Sequence, residues 1–97
     1  MYASIRSAKG QPGAVPEITR RIQDGFVSIV SKLPGFVNYY VVRAEDDVVV
    51  TVSIFDSQAS AEASNQKAAE WVRQNLSDLV ATPLEFATGE IAVHQAA

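Results

Sequence analysis

The stretch LPGFVNYYVVRAEDDVVVTVSIF, residues 33–55, decides the fold. Residues 36–44 and 48–55 are rich in β-branched and aromatic side chains, and the acidic run 45–47 separates them. Side chains of these kinds favour extended backbone, and a short polar run between two such segments favours a turn. The stretch therefore predicts a β-hairpin.

The segment before the hairpin predicts an amphipathic helix. Its apolar residues recur at spacings of three and four, which places them on one side of a helix. Pro16 fits the first turn, where a backbone N–H is not needed, and Pro34-Gly35 stops the helix. The apolar residues that share this face are Val15, Ile18, Ile22, Phe26, Ile29 and Leu33.

Three further elements complete the chain. Residues 2–8 predict a first strand, and residues 58–79 predict a second helix with an N-cap at Asp56-Ser57. Residues 85–94 predict a last strand with a bulge at Gly89. The inner stripe expected for the second helix is Ala61, Ala68, Val72, Leu76 and Leu79, with Trp71 at its edge.

The resulting order, βαββαβ, predicts an α+β fold of the ferredoxin-like class. In that fold one four-stranded antiparallel sheet carries two helices on one face. A chain of 97 residues is too short to bury two separate cores, so a single domain over residues 1–97 is expected.

Composition excludes several classes of function. The net charge is −3 and the basic residues are scattered, which argues against binding of nucleic acid. The chain has no cysteine, so disulfides, thiolate nucleophiles and cysteine-ligated metals are excluded. His94 is the lone histidine, and no metal site is expected. No stretch has the length of a signal peptide core or a membrane span, so a cytoplasmic protein without a membrane partner is expected.

The second hairpin strand predicts a partner for the sheet. Alternate residues are uniformly apolar on one side and mixed on the other, while two helices can cover only one face. The uncovered apolar face predicts a homodimer, formed by a second copy of the sheet. The interface residues expected there are Tyr40, Val50, Val52 and Ile54.

The adjacent tyrosines of the hairpin point to opposite faces, because side chains alternate along a strand. A three-residue turn at 45–47 gives one register and a two-residue turn would change every partner, so both registers stay open. With the longer turn Tyr39 shares one face with Ser53, and Tyr40 shares the other with Val52; both could also simply pack on apolar layers. The expected pairs are Arg43 with Val49, Val41 with Thr51, Tyr39 with Ser53 and Val37 with Phe55.

The layout and several motifs resemble the antibiotic biosynthesis monooxygenase-like family, which consists of small dimeric α+β barrels. The motifs are Pro34-Gly35-Phe36 after the first helix, and Phe55-Asp56 between the hairpin and the second helix. The resemblance covers nearly the whole chain. It implies the same barrel, formed by two copies of the ferredoxin-like unit. The family's arrangement of the hairpin also implies that Tyr40 faces the dimer seam and that the residues beneath the helices are Tyr39, Thr51, Ser53 and Phe55.

The resemblance also implies candidate chemistries. Known members carry out cofactor-free oxidation of polyphenolic ketides or oxidative breakdown of haem. Quinone-forming members have an Asn and a Trp four residues apart on the second hairpin strand, where this chain has Thr51 and Phe55. Haem-degrading members add a first-strand Asn and a second-helix His. This chain has no Asn within 2–8 and no His within 58–79.

The first hypothesis is therefore a family member that binds, or oxidises without a cofactor, a small apolar or aromatic metabolite. The candidate catalytic groups are Tyr39, Thr51 and His94. Two alternatives stay open: a non-catalytic binding or assembly dimer, and an isomerase or lyase.

Arg43 is expected to pair with the acidic turn beside it. The candidate substrate-binding residues are Tyr39, Thr51, Ser53, Phe55 and Trp71, although Trp71 could equally cap the core.

Overall fold

A computed structural model describes residues 1–97. Four antiparallel strands form one sheet in the order β2-β3-β1-β4, and the helices cover one face, which is the predicted ferredoxin-like architecture. The chain begins with β1 (Tyr2–Lys9) and the first helix; the hairpin β2 (Phe36–Arg43) and β3 (Val48–Phe55) follows. The second helix, α3 (Gln58–Asn75), then leads to β4 (Glu85–Glu90).

The hairpin has the predicted register over most of its length. Tyr39 pairs with Ser53 and Tyr40 with Val52, as the three-residue turn requires. The predicted pairing of Val37 with Phe55 is wrong, because a bulge between Phe36 and Asn38 makes Phe36 the partner of Phe55. Such a bulge places an extra residue in one strand and leaves it unpaired.

The turn before β2 requires a glycine. Gly35 has a φ of +74°, which disfavours any residue with a Cβ. A Cβ at this position would also collide with the carboxylate of Asp56. The amide of Asp56 donates to the Gly35 carbonyl at 2.9 Å, so this turn anchors the far end of the hairpin.

The first helix contains a segment that the sequence pattern did not predict. It runs as α1 (Val15–Arg21), a π-helical turn (Ile22–Phe26) and α2 (Val27–Val30). The wider turn holds residues spaced by four on one face, whereas in a regular α-helix they drift around the axis. Val30 is therefore fully buried, and Ile29, expected on the inner face, is 37% exposed.

The second helix and the last strand are both shorter than predicted. The second helix ends at Asn75 rather than at 79, because Leu76 leaves the helical region with φ −125°. The side-chain Nδ2 of Asn75 donates to the Trp71 carbonyl at this end. The last strand ends at Glu90 rather than at 94: Glu90 pairs with Tyr2, the first residue of β1, and the Ile91 amide then donates to the Met1 carbonyl at 2.9 Å.

The predicted bulge at Gly89 is absent. Gly89 pairs directly with Ala3 in an unbroken register along β1 and β4. The Ser57 hydroxyl accepts the Ser60 amide at 3.2 Å, so the N-cap predicted at 56–57 lies at its second residue.

The core lies between the helices and the covered face of the sheet. The first helix contributes a stripe of buried apolar residues, and α3 contributes small ones that let it lie close to the strands. The buried apolar residues of these elements are Ile18, Ile22, Phe26, Val30, Val49, Phe55, Ala61, Ala68 and Leu76. None of the helices combines the length and the apolar character that a membrane span requires.

Candidate functional site

A small cavity lies between the sheet and the helices. Its volume is about 50 Å³, and its lining is mostly hydrophobic. Arg6, Tyr39 and Thr51 bring polar groups to this lining from three neighbouring strands. The cavity therefore combines an apolar enclosure with a few converging polar groups, which is the usual composition of a small-molecule site.

Three aromatic rings form a row above the cavity. The ring centroids of Tyr39 and Phe26 are 5.9 Å apart, and those of Phe26 and Trp71 are 5.7 Å apart. Both pairs are tilted, a favourable arrangement for aromatic quadrupoles. Trp71 lies directly against Gly25, since a Cβ there would be 2.9 Å from its Cζ2. The π-helical turn thus supplies the surface on which Trp71 packs.

Arg6 is the polar centre of the site. It is 2% exposed, and its Nε donates to the Thr51 hydroxyl at 3.2 Å. Its Nη2 donates to the Ser53 hydroxyl at 2.6 Å. Its Nη1 donates to the Ser64 hydroxyl at 3.2 Å and to the Asn65 Oδ1 at 3.0 Å. Side chains from β3 and α3 therefore hold the guanidinium in place.

Small hydroxyl side chains bring α3 close to this centre. The hydroxyls of Ser4 and Ser64 both donate to the Ala61 carbonyl, at 2.5 and 2.6 Å. Every buried side-chain nitrogen and oxygen has a hydrogen-bond partner. The polar layer is thus satisfied, as buried polar groups must be if they are not to destabilise the fold.

Burial changes the acidity of the two titratable groups of the cavity. It raises the pKa of the Tyr39 phenol, while the positive charge of Arg6 opposes that rise. It lowers the pKa of Arg6, although a guanidinium keeps its proton in proteins. At neutral pH the site therefore contains a neutral phenol beside a buried cation.

The structure brings together three of the five candidate substrate-binding residues. Tyr39, Thr51 and Trp71 line the cavity. Ser53 is not part of the cavity lining, and its hydroxyl accepts a hydrogen bond from Arg6. Phe55 is fully buried outside the cavity lining, because residues 51 and 55 of a strand lie about 13 Å apart. Its ring packs against Phe36, with centroids 6.0 Å apart.

Two other candidates lie away from the cavity. His94 is exposed and follows the end of β4, so it is not on the strand where it was expected. Arg43 is also exposed, and the expected ion pair with the acidic turn is absent, because every salt bridge of the chain involves Arg20 or Arg21. No group of three or more histidine, cysteine or acidic side chains is close enough together to hold a metal ion.

The open face of the sheet carries the four residues predicted for the dimer seam. Tyr40 and Val52 pair with each other across the hairpin, and Val52 pairs with Ile5 of β1. Tyr40 is 51% exposed and Ile5 is 42% exposed. Val50 and Ile54 share the face of Val52, since they lie two residues away on the same strand. The centre of this face is thus an apolar row that crosses β2, β3 and β1.

Arg6 was not among the predicted site residues. Strand β1 was recognised, but its alternation of size and polarity did not show which side is buried. The available signal was topological: β1 is a central strand in this fold, and Ile5 continues the apolar open face. Arg6 must then point toward the helices, because neighbouring side chains alternate.

Comparisons with known proteins agree with the fold. The family model described as antibiotic biosynthesis monooxygenase matches residues 1–71. None of the curated proteins compared with the chain matches it significantly. A protein of unknown function from Nitrosomonas europaea superposes with a TM-score of 0.81 at 12% identity, over 99% of this chain and 93% of that one.

Two other similar structures were solved with ligands. A monooxygenase from the gene ActVA-Orf6 of Streptomyces coelicolor, in complex with nanaomycin D, has a TM-score of 0.73 at 16% identity, over 98% of this chain and 92% of that one. The haem degrader MhuD of Mycobacterium tuberculosis, with two haems in its active site, has a TM-score of 0.76 at 20% identity. That match covers 99% of this chain and 100% of MhuD.

Proposed function

Because the chain belongs to the antibiotic biosynthesis monooxygenase family, we propose that it oxidises a small phenolic or aromatic metabolite with O₂ and without a cofactor. The observation that carries this proposal is the apolar cavity in which Tyr39, Thr51 and Trp71 meet. The nanaomycin D complex of a structural neighbour supports the substrate class, since it concerns a monooxygenase with an aromatic ligand on the same fold.

The size of the cavity limits how a substrate would bind. An engineered cavity that binds benzene measures about 150 Å³, whereas this one measures about 50 Å³ and admits only one edge of an aromatic ring. An open groove of about 510 Å³ lies between the first helix and β2, and Tyr39 lines both spaces. Movement of the Tyr39 ring would join them and let a flat substrate enter from the groove.

The proposed reaction uses the electrons of the substrate. An ionised phenol gives one electron to O₂, and the resulting substrate radical and superoxide combine into a peroxide with a new C–O bond. Protonation and loss of water then give a quinone. The protein would orient the ring with Trp71, hydrogen-bond the substrate through Tyr39 or Thr51, and exclude water.

A non-catalytic binding module is the second candidate. Thr51, which stands where quinone-forming members have Asn, is already an acceptor for Arg6. Phe55, which stands where they have Trp, packs against Phe36 in the core. Thr51 lacks the amide of Asn, and Phe55 lies outside the cavity lining, so the family's catalytic pair is missing; this observation favours binding over turnover.

Haem is not the ligand that these residues fit. The cavity lining includes neither histidine nor cysteine, and His94 lies outside the sheet. Burial raises the pKa of the Tyr39 phenol, so this side chain would be a poor iron ligand at neutral pH. We therefore derive no step through haem, although MhuD binds it on the same fold.

The proposal includes a homodimer of single domains spanning residues 1–97, formed through Tyr40, Val50, Val52 and Ile54. Support comes from the exposed apolar face, since large patches of this kind mark interaction surfaces. Sedimentation velocity at micromolar concentration should give twice the chain mass of 10.5 kDa. A species of the chain mass would contradict the dimer. The cytoplasm is the expected location, and cell fractionation tests it.

The test of function is oxygen consumption with a panel of phenols and quinols. At least one substrate should be oxidised, and Trp71→Ala and Tyr39→Phe should each reduce the rate by about tenfold or more. Tyr40→Phe is the matched control on the open face, and His94→Ala should also leave the rate unchanged.

The possible outcomes separate the three hypotheses. Binding of a panel compound without O₂ consumption would replace the oxygenase with the binding module. Conversion of a compound under nitrogen would indicate an isomerase or lyase. Equal rates in the wild type and Trp71→Ala would show that the reaction takes place elsewhere.

A further inference from the structure

Arg6 is a buried cation without a counter-ion. It lies on the central strand β1, points toward the helices and is 2% exposed. Its hydrogen-bond acceptors are three hydroxyl groups and one amide oxygen, all of them neutral. The salt bridges of the chain involve Arg20 and Arg21 on the surface. The positive charge inside the site is therefore uncompensated.

Such an arrangement is unfavourable for a purely structural arginine. Removal of a charge from water destabilises a fold unless an opposite charge accompanies it. An apolar side chain of similar volume would pack between the same elements without that penalty. Retention of a guanidinium at this position is therefore better explained by a ligand that brings the missing charge.

The guanidinium borders the cavity and has only neutral partners there. It has five N–H donors, of which one on Nε, two on Nη1 and one on Nη2 donate to protein oxygens. The neutral phenol of Tyr39 also faces the guanidinium. Arg6 lines the cavity, and the Phe26 ring covers its guanidinium carbon at 5.7 Å from the ring centroid.

We infer that Arg6 makes this cavity a binding site for an anionic oxygen on a flat apolar ligand. The ligand class is an aromatic carboxylate, or a phenol or enol that binds in its ionised form. The oxygen would fill the small space beside Arg6, and the ring would lie along the aromatic row toward Tyr39. This inference deepens the proposed function and rests on it for the location of the site.

The chemistry of the reaction makes this role useful. An ionised phenol is the form that can give an electron to O₂, and a buried cation stabilises that ion in a space from which water is excluded. The neutral phenol of Tyr39 would donate a second hydrogen bond to the same oxygen. Arg6 would then select the reactive form of the substrate.

The test measures binding under nitrogen, so that it does not depend on turnover. Calorimetry compares benzoate with benzamide, which differ in charge and little in shape. A second arm follows the absorbance of 4-nitrophenol, which reports its ionisation directly. The variants are Arg6→Met and Arg6→Lys, and Arg43→Gln is the control because it removes an exposed arginine from the neighbouring hairpin.

The wild type and Arg43→Gln should bind benzoate roughly tenfold more tightly than benzamide or better, since charge-assisted hydrogen bonds have about that effect. They should also lower the pKa of bound 4-nitrophenol. Arg6→Met should lose both effects. Arg6→Lys, which keeps the charge without the planar fork, should retain a weaker preference.

Equal affinity of the wild type for benzoate and benzamide, with an unshifted 4-nitrophenol, would overturn the inference. An undiminished preference in Arg6→Met would overturn it as well. If one probe arm succeeds alone, it identifies whether the oxyanion is a carboxylate or a phenolate. Failure of the proposed oxidation is a separate result, because anion binding under nitrogen can succeed when no O₂ is consumed.

Discussion

At the centre of the sheet the helix-covered face carries buried polar side chains, whereas the open face is apolar. On the covered side Arg6, Thr51 and Ser53 are almost completely buried. On the open side Ile5 and Tyr40 remain about half exposed. This is the reverse of the usual distribution, in which polar groups face water and apolar groups face the core.

The reversal separates the two tasks of the sheet. A polar layer beneath the helices is a poor source of hydrophobic stabilisation but a suitable place for a ligand that needs hydrogen bonds. An apolar layer on the outside is unfavourable for a monomer but suits a second copy of the chain. One face is therefore interpreted as the site and the other as the contact.

The largest effect is expected on the open face. Val52 lies between Tyr40 and Ile5 in one cross-strand row. Val52→Lys would bury an unpaired charge in the dimer seam, at a cost of about 3 kcal/mol, which weakens association roughly a hundredfold. Sedimentation velocity across a concentration series measures this change.

The matched control for that variant is Val93→Lys. Val93 is 85% exposed in the segment after β4, so a lysine there should leave association unchanged. If Val52→Lys sediments like the wild type, the open face is not the contact and the comparison between the faces breaks down.

The open face was predictable because its signal is local. Val50, Val52 and Ile54 alternate with more polar neighbours, and alternation along a strand needs no knowledge of the rest of the fold. The separation of Tyr39 from Tyr40 follows from the same rule. The register was not predictable in the same way, because turns of two and three residues at 45–47 both fit the sequence, and the structure has the register of the longer turn.

The covered face was predictable only in part, because burial there depends on distant elements. Thr51 followed from the register, but Arg6 required the knowledge that β1 is a central strand. The π-helical turn has a subtler signal. Ile18, Ile22 and Phe26 are spaced by four, and a regular α-helix cannot hold a longer series of that spacing on one face.

A second test concerns the covered face. Thr51→Val keeps the shape of the side chain but removes the oxygen that accepts the Arg6 Nε hydrogen at 3.2 Å. A buried charged donor without its acceptor should lower the free energy of unfolding by about 2 kcal/mol. Urea denaturation measures it, with Thr51→Ser as the control that keeps the hydroxyl. Equal stability of Thr51→Val and the wild type would show that the network does not hold the cation.

A third test compares glycines on the two sides. Gly25→Ala would bring a Cβ within 2.9 Å of Trp71 on the covered side, whereas Gly89→Ala would meet nothing within 4 Å. We expect Gly25→Ala to cost about 1 kcal/mol, since overpacking outweighs the helix propensity of alanine. It should also alter the fluorescence of the single tryptophan. Unchanged fluorescence in Gly25→Ala, or an equal change in Gly89→Ala, would contradict tight packing of Trp71.

The smallest expected effect is a difference between the Tyr39→Phe and Tyr40→Phe variants in how stability depends on pH. Burial raises the pKa of Tyr39 in the folded state above its ordinary value near 10. The folded chain therefore holds this proton more tightly than the unfolded chain. The contribution of Tyr39 to the free energy of unfolding is complete below pH 10 and declines as pH rises further.

Tyr39→Phe should remove part of that alkaline decline, and Tyr40→Phe, its matched control on the open face, should keep it. Thermal unfolding from pH 8 to 11 measures the difference. Arg6→Met should leave the onset of the decline near pH 10 and extend the decline to higher pH, because the cation opposes the rise in the folded-state pKa of Tyr39. Equal profiles of stability against pH in Tyr39→Phe and the wild type would show that the phenol ionises as freely in the folded chain as in water. Water would then reach the covered face as readily as it reaches the open face.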